Sequence, residues 1–105
     1  MDSFTRREEG FERAFSRQEE MRFKARARRD RELGRWAGEK LGLSGAALED
    51  YASALAARGL EVGDDEALVA DLARALQPAG VSEHRIRRRL EEFGAAALRE
   101  IQAGR

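Results

Sequence analysis

The chain has 105 residues, no cysteine, and 20 basic against 20 acidic residues, so its formal net charge is zero. That composition excludes disulfides and thiolate metal sites, and it does not indicate a chain-wide electrostatic attraction to nucleic acid or anionic lipid. The charged fraction of 38%, with one proline and few aromatic residues, predicts a single all-α domain.

The first stretch of the chain, residues 1–19, carries a seam of three phenylalanines. Phe4, Phe11 and Phe15 are seven and four residues apart, which places them on one face of a helix. Farther along the chain, the same face carries Gln18, Arg22, Arg26 and Arg29. Because these side chains are polar, we expect the seam to be buried on a surface other than the one that the following helix buries.

This stretch predicts a flexible, helix-prone N-terminal arm. Gly10 lowers helix stability by about 1 kcal/mol relative to alanine, and an isolated helix of this length is marginal in water. Two ion pairs at helical spacing add only about 0.2–0.5 kcal/mol each, Glu9 with Arg13 and Glu20 with Lys24. We therefore expect the arm to be frayed or disordered when free and to order in the groove of a partner. A fold-back of the seam onto the domain is the alternative.

The remainder, residues 20–105, predicts a compact four-helix domain. The expected helices cover about residues 20–41, 45–58, 65–77 and 82–103. Gly42 and Gly59 are expected to end the first two helices. Suitable N-caps for the others are Ser44 for the second, either Asp64 or Asp65 for the third, and Ser82 for the fourth. Since the connections are short, neighbouring helices are expected to pack antiparallel.

Each predicted helix has an apolar stripe at three- and four-residue spacing, which predicts the core. The stripes are Phe23, Ala27, Leu33, Trp36, Ala37 and Leu41; Leu48, Tyr51, Ala52, Leu55 and Ala56; Leu68, Val69, Leu72, Ala73 and Leu76; and Ile86, Leu90, Phe93, Ala97 and Ile101. Trp36 lies at helical spacing from Leu33, so we interpret it as a core residue and not as a platform for a ligand.

Charge is segregated along the chain. Residues 49–71 contain seven acidic residues and one arginine, whereas residues 22–31 contain six basic residues and one acidic residue. A second basic block covers residues 85–89. We expect the acidic segment to lie opposite both basic blocks in the fold, although each exposed ion pair contributes only about 0–1 kcal/mol.

The sequence predicts neither a catalytic site nor a cofactor or metal site. His84 is the only histidine, and no second ligand type lies near it in sequence, whereas a metal ion needs three or four ligands. No acid and base stand at a recognisable spacing, and there is no glycine-rich phosphate loop. We therefore expect a protein that is not an enzyme. No apolar run approaches the roughly 18 residues of a membrane span, so we expect no direct membrane insertion.

A family resemblance rests on five segments. They are residues 23–29 (FKARARR), 33–42 (LGRWAGEKLG), 63–66 (GDDE), 79–81 (AGV) and 84–88 (HRIRR). The second segment is the most specific, because it combines a tryptophan, glycines and a charged pair in fixed order. Nearly end to end, the chain resembles the zeta-subunit family of alphaproteobacterial F-type ATP synthases, the ATPase inhibitor subunit zeta, formerly a domain of unknown function.

The resemblance implies a four-helix fold and an inhibitor of the catalytic head of the ATP synthase. In that family the N-terminal segment becomes helical as it enters a cleft between the alpha and beta subunits, next to the rotating gamma subunit. There it blocks rotation in the direction of ATP hydrolysis. The partner-binding residues that the resemblance implies are Phe4, Phe11 and Phe15 as buried anchors and Arg6, Arg7, Glu8, Glu12 and Arg13 as flanking contacts.

The resemblance also implies a cytoplasmic protein that is peripheral to the inner membrane through the ATP synthase and monomeric when free. A different function stays open on the residues alone, a nucleic-acid- or nucleotide-binding helical module that uses the arginines of helices one and four. For the basic run at residues 85–89, a solvated helix face paired with acidic neighbours is favoured by the zero net charge. On that interpretation nucleic acid is not a partner.

Overall fold

A computed structural model describes the backbone of residues 3–105 and the side chains of residues 9, 10 and 12–105. Within this range the chain forms α1 (Ser3–Lys40), α2 (Gly45–Val62), α3 (Asp65–Leu76) and α4 (Glu83–Gln102), with a 3-10 turn, Gln77–Ala79, before α4. Residues 3–105 contain no strand, so the predicted all-α class with four helices is confirmed.

Helix α1 runs almost the full length of the molecule. Its 38 residues span about 57 Å at 1.5 Å per residue, and the long axis of the molecule measures 64 Å. The sequence predicts a first helix from about residue 20, preceded by a helix-prone arm. The backbone instead forms one unbroken helix through both, so the boundary near residue 19 is not marked by a break. Fraying of the free arm stays a prediction.

Gly42 ends α1, as predicted. Its φ of 82° lies in the left-handed region that favours glycine. The N–H of Leu43 then donates to the carbonyl of Gly38 at 2.9 Å. This hydrogen bond closes the helix in the manner of a Schellman motif.

Gly59 does not end α2, so the predicted helix end near residue 58 is wrong. The helix continues to Val62, and Gly63, with φ of 65°, donates its N–H to the carbonyl of Gly59 at 3.0 Å. Gly59 is buried against α1, where a Cβ atom would overlap the carboxylate of Asp30. The glycine therefore allows two helices to approach closely instead of terminating one of them.

The predicted N-caps all stand at helix starts, but they differ in their hydrogen bonds. Asp64 accepts a bond from the N–H of Glu66 at 3.0 Å, and Ser82 accepts one from the N–H of Arg85 at 3.2 Å. Ser44 precedes α2 with extended backbone, yet its side chain makes no capping hydrogen bond. Only the caps of α3 and α4 therefore satisfy a backbone N–H through the side chain.

The core forms where the other three helices pack on the C-terminal half of α1. Its buried members are Leu33, Trp36, Ala37, Leu55, Leu68, Val69, Leu72, Leu76, Val81 and Ile86. The predicted stripes contain all of them except Val81. Phe23, Ala27 and Leu41 were predicted in the core, and this is wrong, because all three are exposed.

These three residues lie on the same side of α1 as Gly34, at spacings of eleven, seven and seven residues, but outside the stretch from Asp30 to Gly38 where α1 and α2 are in close contact. Gly34 lies so close to α2 that a Cβ atom there would stand 2.7 Å from Cα of Ala52, and one at Gly38 would stand 2.6 Å from Cδ1 of Leu48. Close approach through glycines replaces packing of large side chains along this part of α1. The spacing of large apolar residues in the sequence does not indicate a contact face that is lined by glycines.

Candidate partner-binding arm

The arm is the part of α1 that extends beyond the domain, and its described side chains face solvent. Phe15 is 56% exposed, and Glu12 and Arg13 are exposed as well. Because the helix is unbroken and Phe15 is open to solvent, its described part does not fold back onto the domain. The other predicted site residues have side chains outside the described residues: Phe4, Arg6, Arg7, Glu8 and Phe11.

Charged pairs along the arm are local to α1. Lys24 lies 3.2 Å from the carboxylate of Glu20, which confirms one of the two predicted pairs. The other differs from the prediction, because Nε of Arg13 donates to the backbone carbonyl of Glu9 at 3.3 Å. Such exposed contacts contribute little to stability, about 0–1 kcal/mol each. They leave the apolar surface of Phe15 uncovered.

The face of Phe15 continues into the buried face of α1, which corrects the expectation that the two surfaces are different. Leu33 follows Phe15 by 18 residues, which is five helical turns, and it is fully buried. Between them, Arg29 is also on this face and is only 14% exposed at its side chain. The expectation was wrong because it took every arginine to be solvent-facing.

Arg29 can face inward because two carboxylates receive its guanidinium. Its two terminal nitrogens donate to Asp65 at 2.8 and 3.1 Å, and its Nε donates to Asp30 at 2.9 Å. Burial would lower the pKa of Arg29, but the bonds to Asp65 and the charge of Asp30 outweigh it and raise the pKa. The bond from Arg29 lowers the pKa of Asp65 in turn. This network ties the start of α3 to α1 at the root of the arm.

Asp30 is the most buried charged residue that the structure describes, at 1% exposure. It lies at the contact between α1 and α2, against Gly59. Burial raises the pKa of Asp30, and the attraction of Arg29 and Arg26 only partly opposes this. A neutral group would therefore be better accommodated here than the carboxylate, which makes Asp30 a titrating group inside the domain.

A shallow groove lies on the seam side of α1 where the arm leaves the domain. Its lining residues are Arg22, Ala25, Arg26, Arg29, Asp65, Gly94 and Leu98. Gly94 of α4 makes room for Arg29, since a Cβ atom there would stand 3.3 Å from Cδ of Arg29. Nε of Arg26 is buried in this region without a hydrogen-bond partner among the described residues. The groove therefore combines apolar and cationic surface directly behind the arm.

Other arginines of α1 and α4 are also paired inside the protein. Arg35 binds Glu49 at 3.0 Å and Arg87 binds Glu66 at 2.7 Å. The Arg29–Asp65 and Arg87–Glu66 pairs confirm that residues 49–71 lie opposite both basic blocks. Hydrogen bonding to Glu66 raises the pKa of Arg87. Guanidinium groups held in this way are poorly available for phosphate, which disfavours the nucleic-acid alternative.

The beginning of α4 packs its arginines on Trp36 of the core. The guanidinium carbons of Arg85 and Arg89 lie 6.0 and 5.8 Å from the centre of the Trp36 ring. These distances are within the range of cation–π attraction. His84, in the first turn of the same helix, is exposed. Trp36 therefore belongs to the core, as predicted, and the guanidinium groups of Arg85 and Arg89 lie over its ring.

Comparison with known proteins assigns this architecture to a family. A family model described as ATPase inhibitor subunit zeta matches residues 1–100, which includes the arm and all but the last five residues of the domain. The chain belongs to the ATPase inhibitor subunit zeta family. This zeta-family membership confirms the resemblance seen in the sequence. Neither the curated proteins nor the solved structures gave a match.

The described residues of this zeta-family chain show neither a metal-ligand cluster nor a membrane-spanning helix. Within the described residues, no group of three or more histidine, cysteine, aspartate or glutamate side chains is placed to hold a metal ion. Of the helices within residues 3–105, none has both the length and the apolar character to cross a membrane.

Proposed function

We propose that this protein inhibits ATP hydrolysis by an F-type ATP synthase, by inserting the arm between the alpha and beta subunits next to gamma. The observation that carries the proposal is the exposure of Phe15, 56% open to solvent on a helix that extends beyond its own domain. A large apolar side chain in that position is suited to a groove on a partner. Phe4 and Phe11 are proposed as the other two anchors.

Binding of the arm is favoured by its covalent continuity with the domain. Burying a phenylalanine side chain contributes about 1.5–3 kcal/mol, and three anchors together still compete with the entropy of ordering the segment. Nucleation is the unfavourable step in forming an isolated helix. Because the arm extends an already folded α1, its helix grows from an existing turn. The domain thereby lowers the ordering penalty of the arm.

The proposed mechanism is mechanical. A single helix with its side chains is about 10–12 Å wide, whereas the two short axes of the molecule measure 26 and 21 Å. The arm can thus enter a cleft that excludes the domain, and the domain stays outside as an anchor. Glu12 and Arg13, exposed beside the seam, are proposed to fix the register of the helix together with Arg6, Arg7 and Glu8.

This function implies a protein that acts at the cytoplasmic face of the membrane. We propose that it is monomeric when free and reaches the inner membrane only through the catalytic head of the ATP synthase. The paired arginines of α1 and α4 support a protein partner over nucleic acid, because their charge is already neutralised by acidic side chains. Inhibition through buried phenylalanines should also depend only weakly on salt.

The test compares three proteins in an ATP hydrolysis assay with a purified ATP synthase head. The full chain is expected to inhibit, whereas a chain lacking residues 1–19 and the variant Phe11→Ala/Phe15→Ala are expected to lose inhibition. Leu41→Ala, an exposed apolar residue at the opposite end of the domain, is the matched control and should inhibit normally. Inhibition by the truncated chain, or none by the full chain, would refute the proposal.

Thermal unfolding of the same variants separates a binding role from a structural one. Phe15 is exposed, so the double phenylalanine variant should melt within a few degrees of the full chain. A large loss of stability would mean that the seam belongs to the core and that the lost inhibition reflects unfolding.

A further inference from the structure

Helices α2 and α3 form an open groove that the proposed function does not use. We call it the α2–α3 groove. Its volume is about 560 Å³, which lies within the range of about 300–1,000 Å³ for pockets that bind small organic ligands. Its lining residues all belong to α2 and α3, and the lining is mostly apolar. Since the arm is part of α1, inhibition by the arm gives this groove no role.

Small side chains on both helices leave the α2–α3 groove open. Leu55 of α2 and Leu72 of α3 line the groove and are buried, so they form its floor. Ala54 and Ala75 also line the groove but are exposed, so they form its sides. Because an alanine side chain is a single methyl group, the space above the two leucines is not filled by the protein itself.

The α2–α3 groove has a charged end and an apolar end. Helices α2 and α3 form an antiparallel hairpin, in which Arg58 of α2 pairs with Asp71 of α3 close to the corner between them. Tyr51 lines the groove seven residues before Arg58 and is half-buried. Seven residues of a helix span about 10 Å along the axis. The groove therefore offers about two helical turns of apolar surface next to its charged end.

The charged end keeps hydrogen-bond donors for a second carboxylate. Arg58 binds Asp71 through Nε at 2.5 Å, and a terminal nitrogen of Arg74 binds the same carboxylate. Each guanidinium has five N–H donors, so both retain donors that can face a ligand. Of the lining residues, two are basic and one is acidic. This end therefore carries one positive charge in excess, which a single carboxylate on a ligand would neutralise.

We propose that the α2–α3 groove binds a small organic acid with one carboxylate, whose apolar body lies on Leu55 and Leu72 and whose carboxylate meets Arg58 and Arg74. The length of the apolar surface limits that body to about 10 Å, the rise of two helical turns. The excess of one positive charge favours a single negative charge on the ligand. The site uses no residue of the arm, so it is a binding site separate from the one that the proposed function assigns.

The experiment titrates the full chain with sodium octanoate and follows the backbone amides by ¹⁵N–¹H NMR. Octanoate has one carboxylate and an apolar chain that fits the groove. We expect saturable shifts in the segments that line the groove, residues 51–58 and 71–75. Acetate has the same charge without the apolar chain, and octylammonium has the chain with the opposite charge. Each should bind about tenfold more weakly than octanoate or less, because it loses one of the two contributions.

A matched pair of variants tests the location of the site. Ala54→Leu places a larger side chain in the groove, whereas Ala57→Leu makes the same change at an exposed position of α2 that does not line it. Octanoate binding should be lost in the first variant and unchanged in the second. Both alanines are exposed, so neither change disturbs the core, and circular dichroism checks that both variants are folded.

A second pair of variants tests the charged end. Arg58→Gln should weaken octanoate binding by about fivefold or more, which is the effect of losing a charged hydrogen-bond donor. Arg88→Gln, an exposed arginine of α4, should leave it unchanged. The inference is overturned if octanoate causes no saturable shifts, if acetate or octylammonium binds as tightly, or if Ala54→Leu still binds octanoate. These measurements do not involve the ATPase, so their outcome is independent of the proposed function.

Discussion

Close approach of α1 and α2 through glycine leads to a strong prediction for Gly34→Ala. In the interior of a helix this change is normally favourable by about 1 kcal/mol. Here the added Cβ would stand 2.7 Å from Cα and 3.2 Å from the carbonyl oxygen of Ala52, and 3.3 Å from Cβ of Leu55. The nearest atoms belong to backbone, which cannot rotate away as a flexible side chain can. The two helices would have to separate.

The magnitude follows from two opposing contributions. Overpacking that forces side-chain and backbone shifts costs about 1–3 kcal/mol, and the upper end of this range applies because the nearest atoms are backbone. The gain in helix propensity offsets about 1 kcal/mol of it. We expect Gly34→Ala to lose about 2 kcal/mol of unfolding free energy, which corresponds to a fall in Tm of about 8–16 °C for a domain of this size. Thermal unfolding followed by far-UV circular dichroism measures this shift, and urea unfolding measures the free energy.

The matched control is Gly10→Ala, which makes the same change in the same helix. Apart from the neighbouring turns of its own helix, no described atom lies within 4 Å of the Cβ position at Gly10, so we expect only the helix propensity to change. We expect unchanged or higher stability and a gain in helical signal from the arm. If Gly34→Ala melted at or above the temperature of the parent chain, the inferred distance between α1 and α2 would be refuted.

Three further predictions concern buried charge and helix caps. Asp30→Asn should be tolerated. Because the folded pKa of Asp30 is raised, the parent chain should lose stability relative to this variant as pH rises from about 3.9 through that folded pKa. Urea denaturation of both proteins between pH 3.5 and 7 measures the difference, and a change in the opposite direction would contradict the assigned shift. Arg29→Met should lower the free energy of unfolding, measured in urea, by about 3–5 kcal/mol, since Asp30 is left buried without its partner. Arg22→Ala, the control, removes an exposed ion pair and should lower it by about 1 kcal/mol at most. Ser82→Ala should lower stability by about 1 kcal/mol, but Ser44→Ala should have almost no effect, because Ser44 makes no capping bond; equal losses at the two serines would refute the assignment of the caps.

Local sequence signals were sufficient to predict most of the helices. The starts of α3 and α4 follow from Asp64 and Ser82, whose side chains satisfy N–H groups two and three residues away. The end of α1 follows from Gly42, which adopts a positive φ. These features depend on neighbouring residues only, so the sequence contains the information needed. The prediction for Gly59 was wrong because the sequence does not distinguish a glycine required for close helix packing from a glycine that ends a helix.

The candidate site was predictable in part. Phe15, Glu12 and Arg13 were expected on the arm, and the structure places all three exposed on the projecting helix. The exposure of Leu60 and Leu98 was not predicted. Nothing in the local pattern around either residue distinguishes an exposed leucine from a buried one.

The sequence by itself determined the all-α class, the end of α1 at Gly42, the start of α4 at Ser82 and the apolar seam that begins the chain. Tertiary structure decided which face of α1 is buried: Arg29 turns inward because Asp65 of α3 and the buried Asp30 receive its guanidinium. It also decided that the seam and the core share one side of a single helix. Periodicity reports only that residues lie on the same face, whereas the burial of that face depends on which other helices pack against it.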